Sequence, residues 1–588
     1  MNNSDFQSQT SLNGFTMKLW RGERMSLVAF NVEHPEPDLV GFAIECRGPG
    51  EHVFTPLKNR LAFDYTQPID NAVTGARLYP STTSPFQKFR WVHFPPVAKP
   101  GVYEYRGSKV HMADDGELRM GTTLTLSISL DEVTYHDFLD IGFTRGFASS
   151  QAFRDRFPAD AKMEEIGRTI IPGKADAGLD FAKAPGDIYR WLGFEAADLL
   201  FGFLKDVVAD TTVTLDVFTY DLNEPDILAY LEKMGPRLRA IMDDSTSPAK
   251  GQNPPAGHGN ATSAESQAAA RLMISAGADR IHRTHFAGLQ HNKVLIASRH
   301  GVPFKVLTGS TNFSFRGIYI QSNNVLVFDQ ADVAGFYQKV FDQAFTDPVG
   351  FAKSAQAQQW YTVPNTPVPV RICFSPHKSA GLSLTPVGAA IDQASSAVLF
   401  SIAFLYQTRA GALYEAIAER LPERHIFSYG TSDKLGGLKV TKPDGTTAVV
   451  SFGYLAKNAP QPFKTEWSSG KGINIHHKFV VVDFNLPTAK VITGSSNLAK
   501  SGEESNGDNL IMIEDQKVAV AYAIEAIRVF DHLHFRSRMQ SASTASPAEK
   551  TDQLTLHKPT TLSGQPAWFE RYYVAGSQME NDRLLFSS

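Results

Sequence analysis

The sequence has little cysteine, no long apolar run and little net charge. Its 588 residues include only two cysteines, Cys46 and Cys373, so disulfides are not expected to hold the fold together. We therefore predict a reduced, cytoplasmic protein in which both thiols are small buried packing groups. No stretch reaches the roughly 18 apolar residues that cross a bilayer, and the first residues lack the apolar segment of a signal peptide. A lipid substrate would therefore be met from the aqueous side, by peripheral membrane contact at most.

The charge balance weighs against one class of partner. The formal net charge is −4, with 20% charged and 42% hydrophobic residues, as in ordinary globular proteins. Because the sequence has no basic tract, non-specific binding of nucleic acid is disfavoured, but a local basic cleft is not excluded. The length exceeds what one hydrophobic core organises, so two to four domains are expected.

The residue pattern changes along the chain and predicts a multidomain architecture. Residues 1–16 are polar and predicted to be disordered, whereas residues 17–135 show short alternating runs broken by Pro and Gly. Such runs are typical of an antiparallel, Ig-like β-sandwich, for which we predict a structural role or the docking of an unknown protein partner. Two α/β halves are predicted at 136–360 and 361–540, followed by a C-terminal extension at 541–588 whose aromatic end packs back onto the body.

Each predicted half contains a buried strand, Thr212–Tyr220 or Ala397–Phe404, followed by a helix. In the first half the helix is predicted over Pro225–Met242. A long stretch rich in Gly, Pro, Ser and Asn then covers Asp243–Ser263. Loops of this length are either disordered or act as lids, and both interpretations stay open.

Two polar motifs repeat at a constant separation of 185 residues. The first copy contains His291, Lys293, Asn312 and Asn324, and the second contains His476, Lys478, Asn497 and Asn509. On an alternating strand, the His and Lys of one copy lie on the same face. We interpret the repeat as a duplicated active-site half, and the protein therefore as an enzyme.

The residue types suit phosphoryl chemistry. Two facing imidazoles serve as nucleophile and general acid. The two ammonium groups, the amides of Asn312 and Asn497 and the hydroxyls of Ser310 and Ser495 are predicted to surround the phosphate with donors. Because the lysines supply positive charge, we predict no metal and no cofactor.

These motifs resemble those of the phospholipase D superfamily. The resemblance lies in His291-x-Lys293 with Gly309-Ser310-x-Asn312, and in His476-x-Lys478-x4-Asp483 with Gly494-Ser495-x-Asn497. It spans roughly residues 200–535 and leaves out the predicted sandwich and the tail. It implies two α/β/α halves related by a pseudo-twofold axis, a phosphohistidine intermediate, and hydrolysis or transfer of phosphodiesters. The family includes lipid hydrolases, transphosphatidylases, cardiolipin and phosphatidylserine synthases, and endonucleases.

The chain departs from the family pattern at two places. Ser298 stands where the second copy has Asp483, a residue that mostly supports local structure in the family. Family members also commonly place an acidic residue before the last strand of each half, where it orients the histidine of the other half. Here those residues are Asn323 and Asp508, so the resemblance implies that Asp508 holds His291 and Asn323 holds His476. With the carboxylate partner, His291 becomes the nucleophile and His476 the general acid.

Several alternatives stay open. His282, His285 and His291 are spaced so that a zinc site is conceivable, but no Cys or acidic cluster accompanies them. His477 points to the face opposite His476 and is predicted to pack. The predicted function is a metal-independent phosphodiesterase that hydrolyses phospholipids or transfers their headgroups. The alternatives are a nuclease of the same chemistry and a degenerate, non-catalytic scaffold.

Overall fold

The computed structural model describes most of the chain. The described residues are 5–66, 69–70, 77–95, 98–130, 134–146, 156–157, 186–247, 256–434, 440–442, 445, 448–451, 474–543 and 555–588. The sequence over Ala175–Val208 predicts helical spacing, and the part of it before residue 186 lies outside these ranges, as do residues 1–4. No helix within these ranges is long and apolar enough to cross a membrane.

The N-terminal region is rich in β-structure. Its strands are β1 (Gln7–Leu12), β2 (Phe15–Gly22), β3 (Met25–Val32), β4 (Leu39–Arg47), β5 (Thr55–Pro56), β6 (Lys58–Asn59), β7 (Ile69–Asp70), β8 (Arg77–Pro80), β9 (Arg90–His93), β10 (Gly101–Met112) and β11 (Leu118–Leu130). They form antiparallel sheets in the orders β1-β2-β3-β9 and β11-β10-β4-β5, with a small sheet β6-β8-β7. Apolar residues of both larger sheets share one core, among them Phe30 and Tyr105. The sandwich arrangement and the domain bounds stay predictions.

The first α/β half contains a seven-stranded sheet. Its elements are β12 (Leu139–Phe143), α1 (Gly186–Ala209), β13 (Val213–Thr219), α2 (Pro225–Met234), β14 (Leu238–Met242), β15 (Thr246–Ser247), β16 (Ala256–Gly257), α3 (Ala264–Ala276), β17 (Ile281–Arg283), β18 (Val294–Arg299), β19 (Val302–Gly309), α4 (Phe315–Tyr319), β20 (Asn324–Phe328) and α5 (Ala331–Thr346). The sheet order is β12-β20-β19-β18-β13-β14-β17, and β15 pairs with β16 as a separate ribbon.

The second half repeats this order in an eight-stranded sheet. Its elements are β21 (Tyr361–Thr362), β22 (Val370–Ser375), α6 (Gly381–Asp392), β23 (Ala397–Ile402), α7 (Ala412–Arg420), β24 (Phe427–Ser432), β25 (Val449–Ser451), β26 (Lys478–Val482), β27 (Lys490–Gly494), α8 (Lys500–Ser505), β28 (Asp508–Ile513) and α9 (Gln516–Ser543). The sheet order β21-β22-β28-β27-β26-β23-β24-β25 places corresponding strands at corresponding positions. The halves are therefore duplicated in structure as well as in sequence.

The closing helices α5 and α9 contribute to a core shared by both sheets. That core combines Leu326 of the first sheet and Ile511 of the second with Tyr337 and Tyr522 of the two helices. The remaining helices cover the other sheet faces, with α1 to α3 on the first sheet and α6 and α7 on the second. Because helices cover both faces of each sheet, the central strands are buried on both faces. This explains why their sequences are near-continuous runs of Val, Ile and Leu.

Two local predictions are wrong. Residues 1–16 were expected to be disordered, but Gln7–Leu12 forms β1 and pairs with β2 in register. The helix predicted over Pro225–Met242 ends at Met234, because Gly235 has φ +54° and Pro236 follows it. The remaining residues form β14, parallel to β13. The segment Asp243–Ser263 is folded at both described ends, and residues 248–255 lie outside the described part.

The C-terminal segment packs back onto the body, as its aromatic residues predicted. After α10 (Thr560–Ser563), Trp568, Phe569 and Tyr572 enter the core of the N-terminal region. Helix α11 (Gln578–Ser587) lies between β2, β3 and β24. Both cysteines are free and buried in separate cores, as predicted.

Candidate active site

The two histidine–lysine pairs lie where the halves meet. His291 and Lys293 directly precede β18, while His476 precedes β26 and Lys478 begins it. Each motif strand pairs briefly with the opposite half. The backbone N–H of His291 donates to the carbonyl of Gly507 over 2.9 Å, and that of His476 donates to Ser322 over 3.0 Å. The register of each half-site is therefore fixed by the other half.

Each histidine is held at Nδ1 by a side chain of the opposite half. His291 Nδ1 lies 2.8 Å from Asp508 Oδ1, and His476 Nδ1 lies 2.8 Å from Asn323 Oδ1. The orientation of the Asn323 amide follows from its other contact, because its Nδ2 donates to the carbonyl of Gly317 over 2.8 Å. His476 therefore carries its proton on Nδ1 when neutral. One ring faces a carboxylate and the other faces a neutral amide.

Burial and neighbouring charge set the protonation of the two histidines. Burial lowers the pKa of His291, and Asp508 counteracts this effect. The pKa of His476 lies well below its ordinary value, because burial and the charges of Lys478, Lys293 and His291 all lower it. The influence of Lys293 and His291 on His476 means that the half-sites share one electrostatic environment.

Both lysines are buried beside their histidines. Lys293 donates to the carbonyl of His291, and Lys478 donates to the carbonyl of His476 over 2.8 Å. Lys478 Nζ also lies 3.1 Å from His476 Nε2. Burial lowers the pKa of Lys293 to about 8, and burial together with Lys293 lowers that of Lys478 well below its ordinary value. The site is thus rich in cationic groups and favours an anion.

Asp508 stays ionised despite its burial. Desolvation raises its pKa, but His291, Lys293 and the hydroxyl of Ser495 outweigh this and leave the pKa below its ordinary value. The carboxylate therefore supplies a fixed negative charge to the His291 ring.

The two Gly-Ser turns hold the histidine partners. Ser310 Oγ lies 2.8 Å from Asn323 Oδ1, and Ser495 Oγ lies 2.6 Å from Asp508 Oδ1. Both serines are fully buried. Both hydroxyls thus contact the side chains that hold the histidines, and their predicted role as phosphate donors stays a prediction.

Glycine is required in both turns by close approach. Gly309 and Gly494 have φ values of +138° and +146°, where L side chains are strained. A Cβ at Gly309 would collide with the carbonyl of Asn324, and one at Gly494 with that of Asn509. These glycines let strands β19 and β27 meet β20 and β28 at the site.

The two motif asparagines carry unsatisfied oxygens. Asn312 Nδ2 donates to Asp221 Oδ2 over 2.6 Å. Within the described part of the chain, Asn312 Oδ1 and Asn497 Oδ1 are buried and have no hydrogen-bond partner. Buried polar atoms without partners are uncommon and often mark a place where a ligand or water binds.

A further pair of asparagines ties the halves together. Asn324 Nδ2 donates to Tyr522 over 2.7 Å and to Thr493 over 2.8 Å. In the opposite sense, Asn509 Oδ1 accepts from Tyr337 over 3.1 Å and from Thr308 over 3.2 Å. Sequence reasoning found the asparagines but missed their Thr and Tyr partners, although these also repeat at 185 residues.

The motif aspartate Asp483 lies at the far end of β26 and is structural. Its carboxylate accepts from the backbone N–H groups of Ser395, Ser396 and Ala397 over 2.8 to 3.1 Å. Ser298 has no such role, because Asp210 supports the corresponding loop by accepting from Thr212 N over 2.9 Å. A local substitute therefore accounts for the loss of the aspartate in the first half.

Sequence reasoning also missed two supporting aspartates. Asp243 Oδ1 accepts from the backbone N–H of Gln290 over 2.7 Å, and Asp433 Oδ1 accepts from that of Ile475 over 2.9 Å. Each holds the residue that precedes a motif histidine. The sequence signal that could have identified these two aspartates is an acidic residue that follows a buried strand closely, at the strand end that faces the site.

Aromatic rings border both pairs. Tyr220 contacts the His291 ring edge-on at a centroid distance of 4.9 Å, and Phe404 contacts the His476 ring at 6.1 Å. His258, also missed, lies 4.5 Å from the Tyr220 ring. These rings help to exclude water from the histidines.

The histidines considered for zinc are engaged separately. His282 stacks on Phe345 at 3.7 Å, His285 pairs with Asp244, and His291 bonds Asp508. His477 is fully buried, with Nε2 lying 2.8 Å from Glu525, as expected for a packed residue. Within the described part, a different set of three groups, Asp221, His258 and Glu265, could hold a metal ion.

The fold and the site define a duplicated α/β protein in which two halves complete each other's histidine–lysine pair. A family described as "Cardiolipin synthase, PLD-like domain" matches residues 204–345 and 441–531, which include both motifs. The two matched stretches therefore carry a phospholipase D-like domain. No curated protein matches the sequence.

Several solved structures are similar to this chain at low identity. Phosphatidylserine synthase of Haemophilus influenzae Rd KW20 is 12% identical, with 59% of this chain and 85% of that chain covered and a TM-score of 0.38. The phospholipase D family member Nuc of Salmonella typhimurium is 18% identical, with 25% and 86% covered and a TM-score of 0.19. Yeast tyrosyl-DNA phosphodiesterase is 12% identical, with 53% and 85% covered and a TM-score of 0.28. At these TM-scores the similarities carry no inference about function.

Proposed function

We propose that this chain is a metal-independent phosphodiesterase of phospholipase D type that forms a phosphohistidine on His291. The observation that carries the proposal is the exchange of partners between the halves, in which Asp508 holds His291 and Asn323 holds His476. Because both partners engage Nδ1, each ring offers Nε2 to the substrate. This reciprocity supports one site that lies about a pseudo-twofold axis.

The carboxylate partner favours His291 as the nucleophile. Attack of Nε2 on phosphorus makes the ring cationic, and the charge of Asp508 stabilises that cation. The bond to the leaving oxygen breaks in the same step. The phosphoryl group is then attached to His291 until water or an alcohol displaces it.

The amide partner favours His476 as the general acid. Asn323 stabilises an imidazolium less than a carboxylate would, so protonated His476 is a strong proton donor. The ring is neutral in the empty site, and the arrival of an anionic phosphodiester raises its pKa. His476 gives its Nε2 proton to the leaving oxygen and later takes one from the acceptor, which restores both rings.

The two lysines and two asparagines are proposed to bind the phosphate oxygens. Lys293 and Lys478 are almost fully buried and repel each other, so a bound anion relieves their repulsion. The amides of Asn312 and Asn497 complete the set of donors when substrate reorders them. This assignment leaves Ser310 and Ser495 to hold the histidine partners.

Phospholipids are the proposed substrates, either hydrolysed or subjected to headgroup transfer. The net charge of −4 and the lack of a basic tract favour them over nucleic acids. The match to a family described by cardiolipin synthase agrees with this choice. We further propose a cytoplasmic location, supported by two free buried cysteines, with peripheral contact to the membrane and a docking role for the N-terminal region.

A substrate panel tests the proposal. Purified protein in EDTA receives phosphatidylcholine vesicles, single- and double-stranded DNA, and bis(p-nitrophenyl) phosphate. We expect turnover of the lipid and the aryl diester, loss of turnover in His291→Asn, and retention in the matched surface variant His425→Asn. Activity on DNA alone would overturn the lipid assignment. Abolition of activity by EDTA would overturn the two-histidine mechanism, and complete inactivity would favour a scaffold.

A trapping experiment tests the roles of the two histidines. Rapid denaturation during turnover, followed by peptide mass spectrometry, is expected to find the phosphoryl group on His291. Label on His476 instead would reverse the assignment.

A further inference from the structure

A third histidine joins two carboxylates beside the first half-site. His258 Nδ1 lies 2.8 Å from Asp243 Oδ2, and its Nε2 lies 3.0 Å from Asp221 Oδ1. The Asp243 side chain is fully buried, and those of His258 and Asp221 are 15% and 24% exposed. The three residues come from separate segments, after β16, β14 and β13, so the cluster draws these segments together.

The two carboxylates also hold groups of the proposed site. Asp221 Oδ2 accepts from Asn312 Nδ2 over 2.6 Å, and Asp243 Oδ1 accepts from the backbone N–H of Gln290 over 2.7 Å. One connection therefore leads to a proposed phosphate ligand and the other to the residue before the nucleophile.

The contacts define the charge of His258. A neutral imidazole has one N–H and cannot donate from both nitrogens, so two carboxylate partners require the imidazolium. Burial lowers the pKa of His258, but Asp221, Asp243 and Glu265 outweigh it and raise the value to about 10. Glu265 is itself buried, which raises its pKa and weakens its contribution as an anion.

A cation at this position has a consequence for an anionic substrate. Asp221 and Asp243 would otherwise present two negative charges next to Asn312 and His291. We propose that His258 is a positioning residue for the phosphodiesterase reaction, in which its positive charge offsets one of the two negative charges of Asp221 and Asp243 and so allows Asn312 to bind a phosphate. This inference deepens the proposed function and rests on it.

Charge-changing variants that keep the side-chain shape test the role. His258→Gln keeps a hydrogen-bonding side chain but removes the charge. At a separation of a few ångströms and an effective dielectric constant of about 20, one uncompensated carboxylate is expected to raise KM by about tenfold or more. The value of kcat should change much less, since His258 touches no reacting atom. The surface variant His425→Gln is the matched control.

A double variant that restores the net charge of the cluster provides the second part of the test. Adding Asp221→Asn to His258→Gln removes the surplus negative charge and is expected to return KM to within about threefold of wild type. The single variant Asp221→Asn has one negative charge fewer than wild type, because His258 stays paired with Asp243, and it is expected to bind inorganic phosphate more tightly than wild type. This last variant also keeps the test open if His258→Gln does not fold.

Calorimetric binding of inorganic phosphate separates this inference from the proposed function. If the protein turns over no phosphodiester but His258→Gln still weakens phosphate binding, the proposed phosphodiesterase activity is overturned and the proposed charge role of His258 is retained. Unchanged KM and phosphate affinity in folded His258→Gln would overturn the inference, as would independent effects of the two substitutions. Stoichiometric zinc binding that His258→Gln abolishes would also overturn it, since Asp221, His258 and Glu265 would then be metal ligands.

Discussion

Replacing Asp508 by Asn separates the charge of the nucleophile's partner from its geometry. In wild type, Asp508 Oδ1 lies within hydrogen-bond distance of both His291 Nδ1, at 2.8 Å, and Ser495 Oγ, at 2.6 Å. The other half already shows that an asparagine suits this position, because Asn323 Oδ1 makes the same two contacts, to His476 and Ser310, at 2.8 Å each. The variant is therefore expected to fold with His291 in place.

The expected loss follows from the charge on the ring. A hydrogen bond to a charged partner contributes about 1.5–3 kcal/mol, compared with about 1 kcal/mol for a neutral one. In a buried site, the cation formed by phosphorylation adds a direct Coulomb gain that Asn cannot supply. A total of about 3 kcal/mol corresponds to a fall of about 10²-fold in the rate of phosphohistidine formation.

A rapid-mixing assay with bis(p-nitrophenyl) phosphate measures that step as a burst of nitrophenol. Asp508→Asn should slow the burst about 10²-fold, while phosphate affinity should not fall, because the variant removes a negative charge near the bound anion. The reciprocal variant Asn323→Asp is expected to raise the pKa of His476. In the pH profile of kcat/KM, the pKa of the group that must be protonated should therefore move to higher pH. A wild-type burst rate in folded Asp508→Asn would refute the stabilising role of the carboxylate.

Three further predictions concern charge and stability. Because burial lowers the pKa of Lys293 to about 8, its ammonium is lost above that pH, and KM for an anionic diester should rise there in a pH profile. Asp483→Ala leaves buried backbone donors without partners, so urea unfolding should show a loss of about 2–4 kcal/mol with activity per folded molecule retained, whereas Ser298→Ala should cost under about 0.5 kcal/mol. Arg90→Ala leaves buried Asp582 unpaired and should lower stability by about 3 kcal/mol, measured in the same way.

The sequence was most informative where chemistry and periodicity coincide. The two motifs were found because four polar residues recur in order at one separation on alternating strands. The partner of each histidine came from the family resemblance, since residues 217 apart, such as His291 and Asp508, show no local relation. The contacts of Ser310 and Ser495 to the histidine partners were not foreseen, because the sequence of a turn does not show whether its hydroxyl faces a ligand or a neighbouring side chain.

The parts missed by sequence reasoning depend on long-range packing. The helix assigned over Pro225–Met242 followed its apolar content, although Gly235 and Pro236 carried the stop signal. Asp221, Asp243 and His258 lie in three segments without motif spacing, and only the parallel pairing of β13 with β14 brings the first two to one edge. The loop Asp243–Ser263 was interpreted from its composition alone. Composition does not reveal that His258 within this polar stretch binds two carboxylates.

The differences between the halves follow one physical pattern. The first half contains the histidine with a charged partner, yet it lacks the motif aspartate and places Asp221 near the site, whereas its Asp243 has a counterpart in Asp433 of the second half. The second half keeps Asp483 and surrounds His476 with cations and a neutral amide. The ring proposed to become a stable cation thus has a carboxylate partner, and the ring proposed to release a proton has a neutral one. The two histidines have equivalent places in the duplicated halves, so the difference between Asn323 and Asp508 is the feature on which their different proposed roles depend.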